Sequence, residues 1–262
     1  HLSIRRQRQM CIRDSPYGMF LAVGPTGSGK TTTLYACLMK VDRASKNVIT
    51  IEDPVEYQLP RVTQVQVHPK IGLTFDRGLR HIVRQDPDVL LVGEIRDLET
   101  ARMAIQSALT GHLVFSTMHC NDAVAASVRL IDMGAEPYLV ASTISAVLAQ
   151  RLVRRICTAC KVEAEPPSQV LERMDVPTDS GPYFKGRGCA NCRGTGYRGM
   201  TGVFELVVID DTLRSAIVEK SSSAVLRTVA RQQGVVSLRD AGMQKAAEGI
   251  TTLDEVLRAV YV

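Results

Sequence analysis

The chain has 262 residues, 45% of them hydrophobic and 23% charged, with a formal net charge of +5. This is enough apolar content for a substantial core in one large or two smaller domains, at a charge density ordinary for a soluble globular protein. No apolar stretch approaches the roughly 20 residues that cross a bilayer, the first residues are polar and basic where a secretory signal is apolar, and neither a long basic block nor a tryptophan points to nucleic acid. A cytosolic protein is expected, one that meets a membrane surface only through partners.

Residues 1–15 (HLSIRRQRQMCIRDS) show neither periodicity nor turn chemistry. They read as a basic arm or as sequence foreign to the native product. Met19–Val23 is apolar throughout and predicts a strand. It runs into Gly24–Thr31, GPTGSGKT, with a helix predicted over 30–41. A glycine-rich turn between strand and helix can curl its N–H groups around an anion, and the helix N-terminus adds positive potential. Gly24, Pro25, Thr26, Gly27, Ser28, Gly29, Lys30, Thr31 and Thr32 are therefore the candidate phosphate-binding segment. Lys30 can reach the β- and γ-phosphates of a nucleotide, and the Thr31 hydroxyl can bind Mg²⁺.

Asn47–Ile51 predicts a second strand, ending in the acidic run Glu52-Asp53-Pro54-Val55-Glu56. Three carboxylates in five residues cannot all be buried without partners. One of them is the natural group to orient a water for ATP hydrolysis; the alternative is a solvated acidic turn. Val62–Val67 alternates like a half-buried strand, and 75–84 reads as a helix. Val89–Val92 is a short apolar strand that delivers Glu94 to its end, where ligands sit in open α/β sheets. Glu94 can hold Mg²⁺ through water, or simply pair with Arg96. A helix over 99–109 precedes the buried strand 113–117, which has His112 and His119 at its two ends. Ser116, Thr117 and His119 fall where a γ-phosphate sensor would sit, although a histidine there is also a common core residue. Short apolar strands separated by helices predict a parallel sheet covered on both faces. Residues 122–133 and 138–152 read as helices.

Near Arg154 the texture changes, and prolines and glycines punctuate a loop-rich stretch. Cys157-x-x-Cys160, 28 residues, then Cys189-x-x-Cys192 can place four thiolates on one Zn²⁺ ion, a closed structural site. The alternatives are two redox pairs or free thiols. The ion would pin a module without a core of its own. Arg151, Arg154, Arg155, Arg187, Arg193 and Arg198 flank the cysteines and allow a nucleic-acid-binding ribbon. After it come a strand over 202–208 and helices over 211–219, 224–233, 238–248 and 253–260, with Thr252 and Glu255 set for a capping box.

These motifs together resemble the ATPases of type II secretion and type IV pilus assembly, from about Pro16 to the end of the chain. GPTGSGKTTTLYA is similar to that family's Walker A, Ile51–Glu56 to its Asp box, and Leu91–Asp97 to a Walker B with Glu in place of Asp. Ala108–Ala123 is similar to its His box, with Met118 and Cys120 where Leu and Thr are more usual. Cys157, Cys160, Cys189 and Cys192 correspond to the zinc element of the assembly branch, which retraction motors lack. The resemblance implies an α/β RecA-like P-loop core with a mostly parallel sheet over 16–153, a zinc-binding element over 154–200, and a C-terminal strand and helices packing on the core over 201–262. It implies ATP, Mg²⁺ and Zn²⁺ as ligands. It makes Glu56 the carboxylate that activates water, sets Glu94 on Mg²⁺, and gives His119 the γ-phosphate. Arg77, Arg80, Arg84 and Arg96 are candidates for neutralising charge. It further implies a homo-hexamer, with arginines from a preceding domain closing each site. The partners implied are an inner-membrane platform protein and the secretion or pilus machinery, at the cytoplasmic face of the inner membrane, with no direct nucleic acid. Two rivals remain open: a nucleic-acid-dependent P-loop ATPase with a zinc module, and a catalytically incomplete nucleotide-binding fragment.

Overall fold

The computed structural model describes residues 17–177 and 181–260; the arm expected over 1–15 lies outside the described residues. Nine strands are described: β1 (Gly18–Val23), β2 (Val48–Glu52), β3 (Thr63–Gln66), β4 (Val89–Val92), β5 (Leu113–Met118), β6 (Ile144–Ile156), β7 (Lys161–Glu163), β8 (Phe184–Gly186) and β9 (Tyr197–Val208). The described helices are α1 (Lys30–Leu38), α2 (Phe75–Ile82), α3 (Leu98–Leu109), α4 (Ala125–Asp132), α5 (Pro137–Thr143), α6 (Ser168–Arg173), α7 (Asp211–Val218), α8 (Ser223–Gln232), α9 (Leu238–Ala247) and α10 (Leu253–Val260). Two compact units interleave along the chain. Among the described residues, the first takes in 17–25, Lys30–Ala149 and Leu206–Val235; the second takes in Thr26–Gly29, Gln150–Glu205 and 236–260.

The first unit is built on a sheet in which β3, β2, β4, β5, β1 and the Ile144–Ala149 part of β6 follow in that order. Its strands β1 to β5 pair in parallel, and β1 pairs in parallel with the Ile144–Ala149 part of β6. Every residue of β1, β2, β4 and β5 is buried. Both faces of these strands are therefore covered, which is why they read as unbroken apolar runs. Helix α1 buries Leu34, Tyr35 and Leu38, positions spaced to share one helix face. They join Phe20, Leu91 and Phe115 in the core, and Phe20 meets Phe115 edge to face at 5.8 Å. The register aligns Val23 with Met118, Ile51 with Val92, and Val92 with Ser116. The C-terminal ends of four strands thus form one edge.

One expected element is corrected. The helix read over 138–152 is real only as α5; from Ile144 onward the chain is the strand β6. The C=O groups of a central strand need partners on both sides, and here β1 supplies one of them. The helix read over 30–41 ends at Leu38, and that over 122–133 begins at Ala125.

In the second unit β7 and β8 form an antiparallel ribbon. Where β8 ends, a Cβ on Gly186 would lie 2.1 Å from the Gly196 carbonyl oxygen, so the two backbones pass at a distance that admits no side chain. The stretch between the cysteine pairs is not without a core. Val170, Leu171, Met174, Val176 and Tyr183 pack with Ala246, Leu253 and Val256 of the C-terminal helices. The capping box at α10 is half formed. The Glu255 N–H donates to Thr252 Oγ1 (3.3 Å), but the Glu255 carboxylate turns to arginines instead.

Candidate nucleotide site and metal centre

β1 ends at Val23, and the Gly24 N–H donates to the carbonyl of Met118 at the end of β5 (3.2 Å). The loop then turns at Gly27 (φ 75°) and Gly29 (φ 84°), both in the left-handed region. A Cβ on Gly27 would meet nothing within 4 Å, so that backbone faces open space. Lys30 is 9% exposed, and its Nζ donates to the Gly24 and Pro25 carbonyls, each at 2.9 Å. The ammonium is therefore held against the loop. Ser28 is buried, with its carbonyl taken by Gln150 Nε2 (2.8 Å), yet its Oγ has no hydrogen-bond partner. An orphaned buried hydroxyl in a glycine-rich segment that also carries a lysine is a donor set suited to an anion. Pro25, Thr26, Gly27 and Thr32 are exposed, and Thr31 and Gly29 are half-buried.

Glu94 follows β4 and His119 follows β5. Glu94 is mostly enclosed (side chain 13% exposed). It pairs with Arg96 Nη2 at 2.5 Å and faces His119 Nε2 at 3.6 Å. The hydrogen bond to Glu94 also pushes the Arg96 guanidinium above its ordinary value. Both sequence alternatives for Glu94 are thus compatible with its place: it caps Arg96 and stands at the strand-end edge. Ser116 and Thr117 donate to the carbonyls of Val92 and Gly93, each at 2.7 Å, so their hydroxyls lock β5 to the end of β4. Of the three residues named as sensor candidates, His119 alone has its polar atoms directed at a side chain of the site. His112 Nδ1 lies 2.8 Å from the Ser107 carbonyl and 3.0 Å from Thr110 Oγ1, which fastens the end of α3.

The three carboxylates at the end of β2 and just beyond it divide. Glu52 is buried and accepts from Tyr35 OH, Thr50 Oγ1 (2.6 Å) and Gln64 Nε2 (3.1 Å). Burial, and then the bond to Glu52, push the Tyr35 hydroxyl well above its ordinary range. Sequence reasoning missed Tyr35 and Gln64; the only local signal was a tyrosine five residues after Lys30. Asp53 and Glu56 are exposed. A cleft of about 300 Å³ lies beside Glu94, lined by Asp53, Thr74, Asp76, Arg96, Asp97 and neighbouring apolar groups. Arg77 donates to the Gly72 carbonyl (3.3 Å) and Arg80 faces Asp76 at 3.9 Å, while Arg84 is exposed.

In the second unit the four cysteine sulfurs all lie within 4.8 Å of one another. The Cys157–Cys189 and Cys160–Cys192 separations are 3.9 Å, and Cys189–Cys192 is 3.7 Å. Tetrahedral coordination at a Zn–S length of about 2.3 Å puts sulfurs about 3.8 Å apart, so this arrangement fits one zinc ion. Cys192 Sγ accepts the N–H groups of Cys189 and Gly196, each at 3.2 Å. Burial would raise this thiol, but those donors outweigh it and bring it down to about 6. Two of the flanking arginines are spent inside the unit. Arg151 is buried, with Nε on the Ala259 carbonyl (3.0 Å), and Arg154 pairs with Glu255 at 2.7 Å and covers the Tyr197 ring at 4.1 Å. Arg155, Arg187, Arg193 and Arg198 are exposed.

Comparison with known proteins agrees with this layout. The family model "Type II/IV secretion system protein" matches residues 5–258, extending ahead of Pro16, where the motif-borne resemblance begins. The "Type IV pilus assembly ATPase PilB" of Thermus thermophilus is 50% identical over 94% of this chain and 28% of its own length. The "Type II secretion system protein HxcR" of Pseudomonas aeruginosa is 51% identical over 93% of this chain and 48% of its own length. The chain thus spans about half or less of the curated relatives it matches. Among solved structures, the pilus retraction motor PilT with bound ADP superposes with a TM-score of 0.72 at 26% identity, covering 96% of this chain and 63% of that one. The Legionella pneumophila ATPase DotB shares the fold, with a TM-score of 0.69 at 21% identity over 96% of this chain and 62% of its own. A mixed α/β fold on a mostly parallel sheet, its strand-end motifs, and a match across nearly the whole length place this chain in the type II/IV secretion system protein family.

Proposed function

We propose that this chain is the C-terminal motor domain of an ATP-hydrolysing protein that powers type II secretion or type IV pilus assembly. One observation carries this reading: three neighbouring strands, β4, β5 and β1, bring Glu94, His119 and the Lys30 loop to the same edge of one parallel sheet. Relatives named for pilus assembly and for type II secretion are each about half identical to it.

Residues 16–153 act as the RecA-like core, 154–200 as the zinc element, and 201–262 as the C-terminal region. Gly24–Thr32 cradle the phosphates, and Lys30 exchanges its two loop carbonyls for phosphate oxygens. Mg²⁺, held by Thr31 and Glu94, would neutralise charge developing on those oxygens. Glu56 orients the attacking water and takes its proton, while His119 reads the γ-phosphate from the end of β5. Arg96, already on Glu94, keeps that carboxylate aimed along the edge. Zn²⁺ on Cys157, Cys160, Cys189 and Cys192 would be structural, since four thiolates leave no open position. The intact protein works as a homo-hexamer on an inner-membrane platform protein at the cytoplasmic face. No described helix is long and apolar enough to cross a membrane.

The test is ATP turnover per chain over a wide range of protein concentration, with Glu56→Gln as control. Turnover that rises with concentration and disappears in the control is expected. Turnover that survives Glu56→Gln contradicts the role of that carboxylate. A flat signal equal to the control leaves a nucleotide-binding module that needs groups from elsewhere in the intact protein.

A further inference from the structure

Glu52 is 2% exposed, and the three side chains that hydrogen-bond to it are neutral. A buried carboxyl group costs stability unless its oxygens are satisfied, and here each oxygen has a donor. The same donors also hold the loop beyond Glu52. Gln64 Nε2 also donates to the Tyr35 hydroxyl (3.4 Å), and the Tyr35 ring meets the Tyr57 ring edge to face at 4.7 Å. Gln64 Nε2 donates to the Tyr57 carbonyl (3.2 Å), and Gln64 Oε1 accepts the Leu59 N–H (2.6 Å). Gln66 Oε1 accepts the Val55 N–H (3.3 Å). Glu56 thus sits in a segment fastened on both sides, while its own side chain remains exposed.

We propose that Tyr35 and Gln64, meeting on Glu52, are positioning residues for Glu56, and that they tie its loop to α1, the helix whose first turn carries Lys30. The assignment of Glu56 as the water-orienting carboxylate is taken from the proposed function. Tyr35 is fully buried in the core face of α1, together with Leu34 and Leu38, so its hydroxyl moves only with the helix. Any shift of α1 when phosphate seats at its N-terminus reaches the segment around Glu56 through the Tyr35 hydroxyl on Gln64 and the Tyr35 ring against Tyr57. A carboxylate that activates water must be held to a fraction of an ångström, and an exposed side chain on a free loop does not meet that need.

Amide hydrogen exchange on the whole chain tests this, comparing wild type with Tyr35→Phe and Gln64→Ala, nucleotide-free and with Mg²⁺ and a non-hydrolysable ATP analogue. Tyr35→Phe keeps the ring and its packing; Gln64→Ala lies on the half-buried strand β3 and leaves α1 intact. In both variants, exchange over 53–59 should quicken by at least about fivefold, the change that losing one hydrogen bond brings, while analogue affinity stays within about twofold of wild type. Turnover of the two variants should show a lower kcat at unchanged KM. Unchanged exchange at 53–59, or quickening spread evenly through the sheet, overturns the proposal. If wild type fails to bind the analogue, the failure belongs to the phosphate site; the nucleotide-free exchange comparison still decides the positioning role.

Discussion

In the first unit, strands with every residue buried end where Glu94, His119 and the Lys30 loop follow, so the buried sheet sets where these groups stand. In the second, the segments around the cysteines are two three-residue strands and a six-residue helix, with four thiols gathered within 4.8 Å of one another. The contrast teaches where each site takes its precision. Sheet register sets the first; covalent chain closeness and an implied ion set the second. The two should therefore fail under different insults.

Metal removal should separate them most sharply. Structural zinc contributes apparent binding free energy on the order of 10 kcal/mol. A chelator, or Cys192→Ser, should release one zinc per chain and abolish amide protection around β7 and β8, while β1, β4 and β5 keep theirs. An unchanged exchange pattern in metal-free protein would erase the contrast.

Glu255 sharpens the comparison by showing that the second unit is not held by thiols alone. Its carboxylate is 2% exposed and pairs with Arg154 (2.7 Å) and Arg258 (2.9 Å). Burial would raise it, but the hydrogen bonds from Arg258 and Arg154 outweigh burial and bring it down from 4.5 to about 2. A folded-state value below the unfolded one stabilises the fold above pH ~4.5, and the gain is lost as pH falls toward 2, about 3 kcal/mol in all. Glu255→Gln should cost a similar amount at neutral pH and flatten that acid limb, as read by denaturant melts at several pH values. A wild-type acid limb retained in the variant would assign it to other carboxylates.

A smaller effect belongs to the first unit. Asp210 caps α7 by accepting the Leu213 N–H at 2.9 Å. Asp210→Ala should cost about 1 kcal/mol without altering zinc content. A loss several times larger would show that this helix end bears more of the unit than a cap.

The sequence made both sites legible for one reason: their residues are close in the chain. GPTGSGKT and the two C-x-x-C pairs are local patterns, and Val89–Val92 is recognisable as a strand because nothing polar interrupts it. Non-local pairing was not legible. Ile144–Ile156 mixes Ala, Leu and Gln with β-branched residues, and a strand buried on both faces shows no alternation, so only its pairing with β1 decides against helix. The split of the acidic run was hidden likewise. Glu52 differs from Glu56 through Tyr35 on another helix and Gln64 on another strand. The loop-rich stretch concealed its core because three of that core's eight buried residues, Ala246, Leu253 and Val256, lie far along the chain.

The most direct test of the central claim is equilibrium binding of ATP, with Mg²⁺, to wild type and to Lys30→Ala, alongside thermal melts of both. Loss of the charge-assisted bonds of Lys30 to phosphate, about 3 kcal/mol, should weaken binding about 100-fold while the variant melts as a folded protein. Wild-type affinity retained in a folded Lys30→Ala would contradict a phosphate site at this loop.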